Sequence, residues 1–190
     1  MASKTFVDGV SLPASDINTY LNYGGLVLVG TRTFTSGSGG YISYSDSFNS
    51  TYTNYRILYN NIICSAGAAT LKFGLYDGTA YATNGMYATR TQVGYNTTSV
   101  DAVVAGTNAA EITLGSVGDD TNGCSGTIEI QQPFLSTKTG FQFSGIDTRY
   151  PGNGCIYGGG HQSSSTSWKG FRLGGGITSG QITVYGYRLG

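Results

Sequence analysis

Past its first two dozen residues, the chain alternates apolar and polar positions with a period of two. Leu71, Phe73 and Leu75 are interleaved with Lys72, Gly74 and Tyr76, and the run ends at the turn pair Asp77-Gly78. Ile128 and Ile130 alternate with Thr127, Glu129 and Gln131, and Phe141 and Phe143 alternate with Gln142 and Ser144. This pattern places one face of a strand in a core and the other in solvent. Further strands are predicted at Leu26-Val27-Leu28-Val29, at Tyr41-Ile42-Ser43-Tyr44, and from Tyr55 through Leu58 into Ile62-Ile63-Cys64. Others fall at Ile112 and Leu114, at Trp168, Phe171 and Leu173, and from Ile182 to Tyr187. Trp168 is expected to be buried, and Gly170 to make a bulge in the penultimate strand. Residues 76–108 alternate less well and are expected to hold long outward loops. The runs Gly158-Gly159-Gly160 and Gly174-Gly175-Gly176 are expected as turns or close backbone approaches. Many short strands joined by Gly-rich turns predict a β-sandwich or barrel.

The period changes near the start. Ser11 is placed as a helix cap and Pro13 in the first turn, while Leu12, Ile17, Tyr20 and Leu21 form an apolar stripe at three-to-four spacing. Gly24-Gly25 ends it. One short helix cannot bury itself, so it must dock on its own β-domain, a sister subunit or another protein. The predicted organisation is therefore an N-terminal segment, residues 1–25, and a β-domain, residues 26–190.

Composition adds to this picture. Among 190 residues there are 31 Gly, 15 Tyr and 8 Phe, and only 11% are charged. Ten basic and ten acidic residues cancel. No basic run is present to neutralise phosphates, which argues against nucleic-acid binding. A near-zero charge suits a surface partly covered by partner subunits. No apolar stretch reaches the ~20 residues of a membrane span, and the first residues lack the apolar core of a signal peptide. Cys64, Cys124 and Cys155 are too few and too widely spaced for a disulfide framework or zinc site and are expected as buried reduced thiols.

Candidate chemistry is sparse. The single histidine, His161, has no Gly-x-Ser-x-Gly elbow to serve and no companion at metal-ligand spacing, so a turn or strand-edge role is expected. The acidic residues are few, and Asp119-Asp120 sits in a Gly/Asn-rich stretch where a turn is the default over calcium binding. A glycosidase would need two facing acids. Neither Gly run opens a helix or carries a P-loop lysine, so no cofactor is expected. Tyr81, Tyr87 and Tyr95 are candidates for stacking on a glycan, with an inter-subunit contact as the competing role.

Five stretches carry a resemblance. Residues 6–22 resemble the N-terminal segment of tailed-phage tail and fibre proteins, with Asp8-Gly9, Leu12, Ala14-Ser15 and Ile17-Asn18-Thr19-Tyr20-Leu21 matching and Pro13 standing where Thr or Ser is usual. Residues 48–58, ending Asn54-Tyr55-Arg56-Ile57-Leu58, are similar to a family of phage virion structural proteins, with Thr53 in place of its Asp. So are Ile128 to Phe134, with Pro133-Phe134, and Gly158-Gly159-Gly160-His161 followed by Thr166 to Phe171, where Trp168-Lys169 replaces Tyr-Asp. The C-terminal Val184-Tyr185-Gly186-Tyr187-Arg188 also matches. The resemblance implies a non-enzymatic virion protein with a jelly-roll-like β-sandwich, oligomeric and commonly trimeric, assembled in the host bacterial cytoplasm. Phe6, Leu12, Ile17, Tyr20 and Leu21 would anchor it to other virion proteins, and its exposed loops would meet a host glycan or protein. A capsid decoration protein or head fibre, and a free-standing carbohydrate-binding module, are the alternatives.

Overall fold

The computed structural model describes residues 25–35, 40–65, 69–94, 100–117, 123–147 and 154–187. The expected helix, its stripe from Phe6 to Leu21, Tyr95 and Asp119-Asp120 lie outside these. The described residues form twelve strands and no helix: β1 (Leu26–Phe34), β2 (Tyr41–Tyr44), β3 (Asn54–Cys64), β4 (Ala69–Tyr76), β5 (Met86–Gly94), β6 (Val100–Ala109), β7 (Ile112–Val117), β8 (Cys124–Gln131), β9 (Thr139–Asp147), β10 (Gly154–Gln162), β11 (Gly170–Gly174) and β12 (Ile177–Tyr187). They make two antiparallel sheets. One has eight strands, in the order β1-β12-β3-β8-β9-β10-β5-β6, and the other has four, in the order β2-β11-β4-β7.

The alternation decides which face goes inward. In β3, Tyr55, Ile57 and Tyr59 are buried while Asn54, Arg56 and Leu58 face outward. Ile128, Ile130, Phe141, Ile182 and Val184 join them from the large sheet, and Leu71, Phe73, Leu75, Ile112, Leu114 and Leu173 answer from the small one. Phe171 sits between Phe48 and Phe73, with ring centroids 5.8 and 5.9 Å away, and Phe73 reaches Phe141 across the gap at 6.2 Å. Burying each such side chain contributes about 1.5–3 kcal/mol, so this seam between the sheets holds the β-sandwich-like fold together.

Local chemistry keeps the long strands in phase. Asn61 has φ 49° and the β3–β8 register shifts between Tyr59 and Ile62. The extra residue is absorbed as a bulge at a residue type that tolerates positive φ, and Ile62 returns to the core. The turn expected at Asp77-Gly78 is present: the Asp77 carboxylate accepts from the amides of Thr79 (2.6 Å) and Ala80 (2.7 Å), and Gly78 takes φ 102°. The Ala80 and Thr79 amides hold the Asp77 carboxyl below its usual range.

Three expectations need correction, and a fourth is narrowed to one of its alternatives. Residues 76–108 are not mainly loops, because β5 and β6 occupy much of them and pair with each other. Of the two roles expected for Gly158 to Gly160, the close backbone approach is present and the turn is not: they run inside β10, where a Cβ at Gly160 would strike the Tyr87 backbone. Gly170 makes no bulge. It pairs regularly with Tyr76, and its missing side chain lets the Tyr44 and Ser45 carbonyls approach. Cys155 is exposed, whereas Cys64 and Cys124 are buried as expected, and burial pushes the Cys64 thiol up to about 11. Trp168 is buried as expected.

Candidate binding face

The outward-facing residues of the eight-stranded sheet line up in rows across the strands. One row runs Tyr157, Ser144, Thr127, Leu58 and Thr183, on β10, β9, β8, β3 and β12 in turn. The next runs Gly159, Gln142, Glu129, Arg56 and Tyr185 on the same strands. These positions face outward because their neighbours in sequence are the buried apolar ones. The sequence alternation that builds the core therefore also builds this face.

The face is polar but carries little net charge. Arg56 donates through Nε to Glu129 Oε1, and the Tyr187 hydroxyl donates to Glu129 Oε2 at 2.7 Å. The Arg56 guanidinium also lies 5.8 Å from the Tyr187 ring centroid. The hydrogen bond to Glu129 holds the Arg56 proton more firmly than usual. Partial burial, and then the same carboxylate, push the Tyr187 phenol up. Thr127 Oγ1 and Ser144 Oγ share a 3.0 Å hydrogen bond. Two adjoining clefts of about 590 and 600 Å³ open on this face, and Thr127, Ser144 and Tyr157 line both.

The three tyrosines proposed from sequence separate in space. Tyr87 belongs to this face: it is exposed at β5 and stacks on His161 at 5.4 Å and 15°. His161 is thus a strand residue paired with Gly140 and Tyr87 within the sheet, not a turn residue. Tyr81 lies outside the strands, bridged to Tyr76 at the end of β4 in the other sheet. Its hydroxyl donates to Ser43 Oγ at 2.5 Å and its ring lies 4.2 Å from the Arg172 guanidinium, which Tyr41 flanks at 4.7 Å. Arg172 Nε approaches Glu111 Oε1 at 2.7 Å as a charge contact without hydrogen-bond alignment. Tyr81 is therefore a packing element of a tyrosine–arginine stack. Tyr95 is not among the described residues.

Sequence reasoning missed Tyr157, Gln142 and the Arg56–Glu129 pair. The alternating positions were visible in β8 and β9, but the Gly-rich composition of β10 hid Tyr157. Among the described residues, no group of three or more His, Cys, Asp or Glu side chains is placed to hold a metal ion. No family model, curated protein or solved structure matches this chain.

Proposed function

We propose that this chain is a non-enzymatic structural component of a tailed-phage particle: an oligomeric jelly-roll subunit of a short tail fibre or fibre tip, held through residues 1–25 and presenting its β-domain to the host. The observation that carries the reading is the nesting of strand pairs. β1 pairs with β12, β2 with β11, β3 with β8 and β4 with β7. A long antiparallel hairpin rolled so that successive pairs fall alternately in two sheets produces this order, and a jelly roll is built that way. β5–β6 and β9–β10 are then two added hairpins that widen one sheet from β8 outward. The family resemblance of the N-terminal segment and of the C-terminal Val184 to Arg188 supports the same reading.

Quantitative mass spectrometry of purified particles tests it. A low copy number relative to the major capsid protein, fixed by the symmetry of a tail attachment point, is the expected result. A copy number comparable to that of the capsid protein would make the chain a decoration protein, and its absence from particles would overturn the virion role altogether.

A further inference from the structure

The outer face of the eight-stranded sheet has properties that narrow its ligand. Its six inner strands are paired on both sides, so their backbone groups are spent in the ladder and a ligand over them must be read by side chains alone. The side chains in its two middle rows are Thr, Ser, Gln and Tyr, with Leu58 the one aliphatic member, around one neutralised pair, Arg56–Glu129. An obligate protein interface would be more apolar there. A phosphate backbone or an acidic polymer would find no free cation in these rows.

Tyr157 is 58% exposed although it sits in a strand paired on both sides. Beside it, Gly159 occupies the next outward position with no side chain, and Gln142 Cγ lies 3.5 Å from where its Cβ would stand. Exposed Gln142 and the Thr127–Ser144 hydroxyl pair lie next to that ring in the register. A broad aromatic face with uncharged donors and acceptors around it matches a sugar ring, which is apolar on its C–H face and carries hydroxyls at its rim. The volumes of about 590 and 600 Å³ fall within the ~300–1,000 Å³ of small-ligand clefts. From β10 to β12 the row crosses four interstrand steps of about 4.8 Å, roughly 19 Å in all, which is longer than a single sugar.

We propose that this face binds a neutral oligosaccharide, with Tyr157 as the stacking platform and Gln142, Thr127 and Ser144 as hydroxyl partners. The proposal deepens the virion reading, which rests on a separate experiment: particles can contain the protein whether or not it binds sugar.

The test uses the full chain on a printed array of neutral hexose and hexosamine oligosaccharides, tetrasaccharide and longer, with sulfated and sialylated oligosaccharides alongside. Binding of neutral members is expected. Tyr157→Ala and Gln142→Ala should each weaken it by about tenfold or more, while Tyr157→Phe, which keeps the ring, should retain it. Leu135→Ser, at an exposed turn residue away from the face, serves as the control and should bind normally. Because Tyr157 is exposed, its variants should melt like the parent. No binding to any neutral oligosaccharide, a preference for the acidic ones, or full binding by Tyr157→Ala would overturn the proposal.

Discussion

At the scale of single residues, much of the fit depends on side chains that are missing. Tyr59 points into the core from β3, and its ring lies where Gly126 and Gly145 leave room. A Cβ on Gly145 would collide with the Tyr59 hydroxyl, whereas a Cβ on Gly126 would also strike the Ser144 carbonyl. Gly145→Ala is therefore expected to destabilise by about 1–3 kcal/mol, the usual range for overpacking. Tyr59→Phe should recover most of that loss in the double variant, whereas it should not rescue Gly126→Ala. Denaturant midpoints of the three single and two double variants measure both; additive losses at Gly145 would refute the shared-space account. The same burial has a pH consequence. It raises the Tyr59 phenol well above its ordinary value and the Cys64 thiol from 9.0 to about 11. Both groups ionise more readily in the unfolded chain, so the stability they contribute is present at neutral pH; the Cys64 share is lost as pH rises from 9.0 towards about 11, and the Tyr59 share starts to fall above 10.0. Unfolding midpoints taken from pH 7 to 11 should fall over that window, and Cys64→Ala should lessen the fall. A flat profile would mean that these groups ionise freely in the folded state.

At the scale of elements, the strands were legible where the period of two was intact. Residues 69–76, 124–131 and 139–147 carry clean alternation, and their strands lie where the pattern placed them. β10 was not legible because Gly154 and Gly158 to Gly160 supply no side chains to alternate; only the register with β5 and β9 reveals it. β6 reads as a loop because Val100 to Ala109 mixes small, polar and apolar residues, as suits a sheet edge with one partner. The same limit applies to the candidate face. Arg56 and Glu129 lie 73 positions apart in sequence and meet only because β3 and β8 pair. Tyr87 was picked out correctly as exposed, but Tyr81, chosen by the same composition, is tied to Ser43 and Arg172 by folding of the other sheet. Composition offers candidate residue types for a binding face, and pairing register decides which of them share one side of the sheet.

At the scale of the whole molecule, the question is how copies of a nearly neutral chain would meet. Among the described residues four strands are sheet edges, and the eight-stranded sheet ends at β1 and β6. Exposed strand edges invite pairing unless charge, Pro or a bulge blunts them. β1 carries Leu28 at 57% exposure and β6 carries Val104 at 65%, while Arg32 and Asp101 are the only charges on the two strands. Because the two edges differ, a β1-to-β6 contact would be heterologous, giving a ring of fixed subunit number where its rotation closes and an open filament where it does not. On the virion reading that number is three. Light scattering on the eluting protein should then give three times the 19.9 kDa chain mass. Leu28→Lys and Val104→Lys, placed on opposite edges, should each yield monomers. A monomeric parent would sink the oligomer, and a trimer that survives both substitutions would move the contact off the edges. Leu28 pairs with Tyr185 and Val104 with Thr89, so both side chains stand on the outer face that carries Tyr157; monomers that bind oligosaccharide as the parent does would show that the assembly contact lies outside the sugar site.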